Sequence, residues 1–170
     1  MNTSEFSPPM PRFRQRYCSG EIPVTLVREN FGWNLYWKVP IKDIDFGYYL
    51  PIFFEGLRET RKPFDLIANI GLHEMLDILE AQNSCHFLDE IIPHLINGLT
   101  SDNPNILLRS LMALQHLYDV TQLFLHPYLN RILPALNEIK EKFRDCTDPE
   151  RIKIVVLVSE TIAILAQEYL

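Results

Sequence analysis

A short motif that recurs about every 40 residues constrains the fold of this chain more than any other sequence feature. An aliphatic residue followed by proline begins three similar segments, with offsets of 42 and 41 residues, at Leu50-Pro51, Ile92-Pro93 and Leu133-Pro134. Glycine recurs in the same phase at Gly56 and Gly98. Each of these segments shows the apolar spacing of an amphipathic helix.

A second set of prolines marks the start of another helix in each unit, at Pro63, Pro104 and Pro149. Asn103 and Asp148 precede the last two, and such residues cap helices whose first position is proline. Each unit is therefore predicted to be a pair of helices.

A period of about 40 residues built from two helices is typical of HEAT or armadillo arrays, in which stacked neighbours bury each other's apolar faces. The sequence predicts an all-α domain of about three such pairs over residues 45–170. A plain helical bundle is the alternative, but it does not require prolines and glycines to recur in phase.

Two shorter segments precede the helical domain. Residues 1–21 are predicted to form an N-terminal arm, flexible or laid on the surface, because residues 1–11 are polar and hold Pro8, Pro9 and Pro11, which favour extended backbone. Residues 22–44 are predicted to hold a short β-hairpin with strands at Val24–Arg28 and Leu35–Val39. The turn between them is expected within Asn30–Asn34, which contains Gly32.

Composition favours one ordinary globular domain, since 47% of the 170 residues are hydrophobic and 22% are charged. The isolated cysteines Cys18, Cys85 and Cys146 indicate neither a disulfide framework nor a zinc ribbon, which favours a reducing compartment. The N-terminus lacks the apolar core of a signal peptide, and no apolar run approaches membrane-spanning length. We therefore expect a cytoplasmic protein without membrane contact.

Charge is distributed unevenly along the chain, whose formal net charge is −6. Residues 1–44 carry six Lys and Arg against four Asp and Glu, whereas residues 45–170 carry ten against eighteen. A phosphate-binding surface needs clustered cations, so the acidic body argues against nucleic acid as a partner.

The final predicted helix is apolar around most of its circumference, and its polar positions Lys153, Glu160 and Gln167 form only a narrow stripe. One interpretation is that neighbouring helices and the N-terminal hairpin wrap it, since helices that are apolar on all sides are usually buried. The other is that part of it docks on a partner protein.

No arrangement of residues indicates catalysis or metal binding. His73 with Asp77 is the best metal-like spacing, but two ligands do not close a site, and we expect structural or solvent roles for His73, His86, His94, His116 and His126. Adjacent Cys85 and His86 cannot orient a nucleophile and its base on a helix. With no Walker, GxGxxG or GxSxG motif, we predict no catalytic residue, no metal and no cofactor.

Two cationic groups are the candidate partner-binding residues. The first combines arginines with aromatics at Arg12, Phe13, Arg14, Arg16 and Tyr17, and the second is Arg58, Arg61 and Lys62. They are either a solvated face or a surface for an acidic protein, in which arginines bind carboxylates and aromatics add apolar anchoring.

A series of motifs resembles the Parkin co-regulated gene protein family over about residues 13–140. The motifs are Phe13-Arg14-x-x-Tyr17-x-x-Gly20-x-Ile22-Pro23, Trp37-Lys38-Val39, Tyr49-Leu50-Pro51-x-Phe53-Phe54-x-Gly56-Leu57-x-Glu59-x-x-x-Pro63, Gly71-x-His73-x-Met75-Leu76, Leu114-Gln115-His116-Leu117 and Ile132-Leu133-Pro134-x-Leu136-Asn137.

The resemblance implies a HEAT-like fold and a non-enzymatic role in the axoneme of cilia and flagella. It implies binding to α/β-tubulin at the inner junction of doublet microtubules, where the A- and B-tubules meet, beside a small β-rich protein. The residues themselves indicate only a protein-binding helical array. The alternative function is therefore a cytosolic HEAT-type adaptor with another client, and an enzyme is the least favoured class.

Overall fold

The computed structural model of this protein describes residues 10–80, 83 and 86–167. Seven α-helices occur in that part of the chain: α1 Arg12–Cys18, α2 Phe46–Glu55, α3 Phe64–Ile78, α4 Leu88–Leu99, α5 Pro104–Thr121, α6 Leu129–Lys142 and α7 Pro149–Ala166. The strands are β1 Val24–Glu29 and β2 Gly32–Trp37, and short 3-10 helices lie at Ile41–Asp43, Gly56–Arg58 and Gln122–Tyr128. The prediction of an all-α fold with a small hairpin is confirmed.

The hairpin pairs β1 with β2 in antiparallel register, from Val24 opposite Trp37 to Glu29 opposite Gly32. Its turn is therefore only two residues long, shorter than predicted, and β2 begins at Gly32 instead of Leu35. Gly32 has a φ of 141°, which non-glycine residues rarely adopt. Val24 and Leu35 face the core, where both are buried.

Side-chain caps begin the helices where the sequence predicted them. The side chain of Asn103 accepts a hydrogen bond from the backbone of Asn105, and that of Asp148 accepts one from Glu150. Pro104 and Pro149 occupy the first helical positions, so both predicted helix starts are confirmed.

Three helix pairs stack in two layers. The pairs are α2 with α3, α4 with α5, and α6 with α7. The proline-containing first helices contact one another in the order α2, α4, α6, and the second helices do so in the order α3, α5, α7. This layout follows the predicted pairing, while the assignment of the pairs to the HEAT or armadillo repeat class stays a prediction.

The recurring glycines lie where helices touch. A Cβ at Gly56 would lie 2.7 Å from the Cβ of Ala68 in α3, and one at Gly98 would lie 2.2 Å from the Oγ of Ser110 in α5. Both distances are below van der Waals contact, so a larger residue would displace α3 at Gly56 and would force at least the Ser110 side chain to move at Gly98. This close approach explains why glycine recurs in phase.

The N-terminal segment differs from the predicted arm. Residues 12–18 form α1, which contacts α2 and α3 instead of lying extended. Phe13 is 1% exposed, and its ring packs edge-on against Phe53 with 5.5 Å between centroids. Burial of that ring fixes the segment as a helix on the body of the domain, while Pro8 and Pro9 lie outside the described residues.

The middle of helix α2, and not the last helix, is buried on all sides. Five successive residues, 50–54, are buried beneath α1, α3, α4 and the Trp37 ring of the hairpin. In α7 only one stripe is buried, at Ile154, Val158, Thr161 and Leu165. Ile152 and Val156 are about half exposed, so the interpretation that neighbours wrap the last helix completely is wrong for the described residues.

Candidate protein-binding surfaces

The aromatic residues of α1 face inward, because positions four residues apart lie on one face of a helix. Phe13 is buried, and half-buried Tyr17 packs edge-on against Phe64 with 5.7 Å between ring centroids. Phe13 is therefore not available as the exposed anchor that the sequence suggested. It holds α1 to the body instead.

Arg14 is also committed within the domain. Its guanidinium lies 2.7 Å from the carboxylate of Glu59, which is 2% exposed, and 5.1 Å from the centre of the Phe64 ring. A buried carboxylate is stable only with such a partner, so this ion pair joins α1 to the turn that follows α2. Only 14% of the Arg14 side chain is exposed, so little of it is accessible to a partner's carboxylate.

Two other predicted cations lie at one open cleft, and a third, Arg16, is not among its lining residues. Arg12 of α1 and Arg58 of the 3-10 turn line a cleft of about 650 Å³ between α1, α2 and α4. Arg16 lies close enough to act electrostatically on His94, a further lining residue, and its guanidinium stands 6.0 Å from the Tyr48 ring centre. Within the described residues, neither Arg12 nor Arg58 forms an ion pair.

His94 places an imidazole in the same cleft. Its Nδ1 is buried and has no hydrogen-bond partner. Burial lowers the pKa of His94, Glu55 raises it, and the positive charges of Arg58, Arg12 and Arg16 lower it again. The ring is therefore neutral at pH 7. The sequence offered no signal for this role beyond the presence of a histidine.

The structure separates Arg61 and Lys62 from the cleft. Lys62 lines a second pocket, between α3 and α5, together with Asp65, Asn69 and Arg109. Arg61 and Lys62 are exposed. The predicted cationic turn thus divides into Arg58 on one surface and Lys62 on another.

The hairpin presents a second surface that the sequence analysis did not identify. Phe31 at the turn is fully exposed, and Trp33 and Tyr36 are about half exposed. The guanidinium of Arg28 stands 5.8 Å from the Trp33 ring centre. Exposed aromatics beside an arginine are enriched at protein interfaces, and the run Phe31-Gly32-Trp33 was the available signal.

His73 and His116 meet between α3 and α5. Their Nδ1 atoms are 2.7 Å apart, their rings stack, and the Nε2 of His116 lies 3.1 Å from a carboxylate oxygen of Asp77. His73 and Asp77, which the sequence placed one helical turn apart, thus both lie close to His116. The groups bond to one another, and the described part of the chain contains no cluster arranged to hold a metal ion.

The cysteines and the hydrophobic helices show no further site in the described residues. Cys18 and Cys146 are free thiols. Cys85 lies outside the described residues, and with it the Cys85-His86 pair that the sequence analysis rejected as a dyad. Among the helices described, none has the length and hydrophobicity needed to cross a bilayer.

Comparison with known proteins shows the family. A family model described as Parkin co-regulated protein matches residues 11–168, which include both surfaces and all three helix pairs. The chain belongs to the Parkin co-regulated protein family.

A mouse member of the Parkin co-regulated protein family, the Parkin coregulated gene protein homolog, is 36% identical over 135 residues. The alignment covers 75% of this chain and 54% of the mouse protein. The matched part of the chain thus spans about half the length of this curated relative. The resemblance that the sequence motifs indicated is confirmed.

This family has no known enzyme class. Within this Parkin co-regulated family member, the structure places Arg12 and Arg58 in one cleft, packs Phe13 and Arg14 against the domain, and places Lys62 in another pocket. The partner-binding role of these residues stays a prediction.

Proposed function

We propose that this protein is a non-enzymatic structural component of the axoneme of cilia and flagella. In this role it binds α/β-tubulin and bridges the A- and B-tubules at the inner junction of doublet microtubules. Family membership supports the proposal, because the matched region includes all seven described helices and the hairpin. The mechanism is geometric, with a rigid array holding two surfaces at a fixed separation.

The observation that carries the proposal is the group of cations around the cleft. Tubulin is acidic, and a chain with net charge −6 is repelled by an acidic lattice unless its cations face it. Arg12 and Arg58 meet this requirement because no carboxylate of the described residues pairs with them. We therefore assign the cleft side of the molecule to the microtubule.

The hairpin surface supports the second partner, a small β-rich protein. Within the described residues its sheet has two strands, so each strand keeps one edge without a neighbouring strand. Such an edge accepts another strand through backbone hydrogen bonds, while Phe31 and Trp33 supply apolar contacts. The two partners would then occupy different sides of the array.

Co-sedimentation with stabilised microtubules tests the tubulin contact. We expect bound protein to decrease steadily as salt rises, because screening weakens contacts between exposed charges. Charge reversal in an Arg12→Glu/Arg58→Glu variant should weaken binding roughly tenfold.

The matched control is Lys140→Glu/Lys153→Glu, which changes net charge equally at exposed positions on α6 and α7. It should bind nearly as the unmodified protein does. Binding that is indifferent to salt, or equally weakened by both double variants, would contradict the assignment of the cleft side.

A cytosolic adaptor remains the second candidate, and the exposed apolar side of α7 favours it. Ile152 and Val156 offer a surface to a client that need not be a filament. The tagged protein in a flagellated cell separates the two functions. Axonemal signal that survives detergent extraction supports the junction role, and diffuse cytosolic signal supports the adaptor.

A further inference from the structure

The cleft between α1, α2 and α4 is large enough to bind a ligand. Its volume of about 650 Å³ lies within the range of small-molecule and peptide pockets, roughly 300 to 1,000 Å³. Met10 and Pro11 contribute apolar walls, and Arg12, Arg58 and Asn97 contribute hydrogen-bond donors. An occupant would meet apolar and polar groups together.

The charges around the cleft favour an anion. The positive charges of Arg58, Arg12 and Arg16 lower the pKa of His94, and among the charged groups near it only the carboxylate of Glu55 raises that pKa. Glu59 also lines the cleft; its Oε2 forms the ion pair with Arg14, which offsets its charge, while its Oε1 is buried without a hydrogen-bond partner. The balance is an excess of positive charge in a molecule that is acidic as a whole.

Unmet hydrogen-bonding capacity marks the same place. The Nδ1 of His94 is buried without a partner, and within the described residues Arg12 and Arg58 have no ion-pair partner. A buried polar atom that lacks a hydrogen bond costs free energy, which an occupant with suitable oxygens would recover. Carboxylates match guanidinium groups through paired hydrogen bonds.

From these observations we propose that the cleft seats an acidic peptide segment of a partner protein, with Arg12 and Arg58 binding its carboxylates and His94 hydrogen-bonding to one of them. The proposal rests on the assignment of this side of the molecule to an acidic partner. Beyond that assignment, the proposal names the cleft as the site where individual acidic side chains of the partner bind.

A peptide suits the cleft better than a nucleic acid. The body around the cleft is acidic, so an extended phosphate backbone would be repelled beyond these few cations. The apolar walls at Met10 and Pro11 suit the aliphatic parts of glutamate side chains. Glu55 limits how many carboxylates can enter together.

Occupation should make binding pH-dependent. The groups facing His94 are Arg12 and Arg16 from α1, Glu55 from α2 and Arg58 from the 3-10 turn. A bound carboxylate adds a negative charge beside the ring, which raises the pKa of His94 in the complex above its value in the free protein. By linkage, the peptide should bind more tightly as pH falls from 7.5 to 6.

Fluorescence anisotropy with a labelled glutamate-rich peptide tests the site in the full chain. We expect Arg58→Ala and Arg12→Ala each to weaken peptide binding roughly fivefold or more. His94→Gln should remove the pH dependence while leaving binding measurable at pH 7.5. The matched control is Lys62→Ala, an exposed cation outside the cleft, which should bind as the unmodified protein does.

Several outcomes would overturn the proposal. They are an absence of peptide binding, equal losses in Lys62→Ala and Arg58→Ala, and competition by inorganic phosphate as effective as by unlabelled peptide. Thermal unfolding of each variant verifies that it is folded. Peptide binding without microtubule binding would refute the axonemal function alone, whereas microtubule binding without peptide binding would refute this inference alone.

Discussion

Gly56 lies where the turn after α2, helix α3 and helix α1 meet. A Cβ at this position would lie 2.7 Å from both the Cβ of Ala68 and the Cδ2 of Phe13. Neither atom can rotate away, because one is attached directly to the backbone and the other belongs to a ring in the core. Glycine is therefore required at this position because there is no space for a side chain.

Gly56→Ala should therefore lower the free energy of unfolding by roughly 1 to 3 kcal/mol through overpacking. Denaturant unfolding measures the change. A second substitution, Ala68→Gly, should recover part of the loss, since it removes one of the two crowded atoms.

Gly47→Ala is the control, because a Cβ there would meet Phe87 at 3.3 Å and Asp45 at 3.4 Å. It should change stability far less. Similar losses at Gly47 and Gly56 would show that close packing is not the reason for the glycine at Gly56.

His73 gives stability a pH dependence. Burial lowers its pKa, His116 lowers it further, and Asp77 opposes both. The unfolded chain, with a histidine pKa of about 6.5, then binds more protons than the native state in mildly acidic solution. The free energy of unfolding is therefore unaffected by His73 well above pH 6.5, and it decreases as pH falls through and below that value.

Denaturant midpoints between pH 7.5 and 5 should therefore decrease with falling pH, and His73→Gln should reduce that slope. His86→Gln, at an exposed residue outside the pair, serves as the control and should leave the slope nearly unchanged. An unchanged slope in His73→Gln would place its origin in other groups, such as His94, whose pKa is also lowered.

Among the elements, α7 shows how far helix periodicity alone can predict burial. Val158 is 0% exposed and Val156 is 52% exposed, although the two valines lie two positions apart in the same apolar run. Sequence hydrophobicity did not distinguish them, because burial depends on which neighbours are present. Helix α5 and helix α6 cover only one side of α7.

Val156→Lys should leave the thermal midpoint almost unchanged, whereas Val158→Lys should prevent stable folding, because an unpaired charge would be buried. Circular dichroism during heating compares the two variants. Val156→Lys should also reduce binding of a hydrophobic dye if the exposed side of α7 is apolar in solution. A large loss of stability in Val156→Lys would indicate that another part of the chain covers this side.

Local signals predicted several elements well. The caps at Asn103 and Asp148, and the prolines that follow them, act within one helical turn, so the sequence contains the whole cause. Helix α1 was not predicted, because the nearby prolines suggested extended backbone. Its stability comes from Phe13 packing on Phe53, a contact between residues 40 positions apart.

Over the whole molecule, the ion pair between Arg14 and Glu59 decides whether the N-terminal segment belongs to the domain. The pair connects α1 to the turn after α2, and Arg109 of α5 donates a hydrogen bond to the backbone oxygen of Glu59 at 2.7 Å. Three separate parts of the chain therefore meet at one buried residue.

Arg14→Ala would leave the Glu59 carboxylate buried without its partner, and we expect a loss of roughly 3 to 5 kcal/mol. Denaturant unfolding measures the loss, and limited proteolysis should show earlier cleavage near α1. Arg14→Ala/Glu59→Gln should be more stable than Arg14→Ala, because it removes the uncompensated charge. An unchanged denaturant midpoint in Arg14→Ala would show that this ion pair does not hold the N-terminal segment to the domain.

The cleft could be predicted only in part. The sequence identified Arg12 and Arg58 as candidates, but not that they share a site, because 46 positions separate them and the contact depends on how α1 folds back. Nor did it distinguish Arg14, which is paired internally, from Arg12, which is not. Charge type can be read from residues, whereas the direction of a side chain requires the packed structure.

The contrast between the covered helix α2 and the partly bare helix α7 gives the array a direction. Among the described residues, one terminus of the stack is closed by α1 and the hairpin, and the other exposes aliphatic side chains. The two termini are therefore chemically unlike. Copies could join head to tail in a series only if the covered end of one stack fitted the exposed end of the next. If instead the two exposed ends packed against each other, the assembly would stop at a dimer.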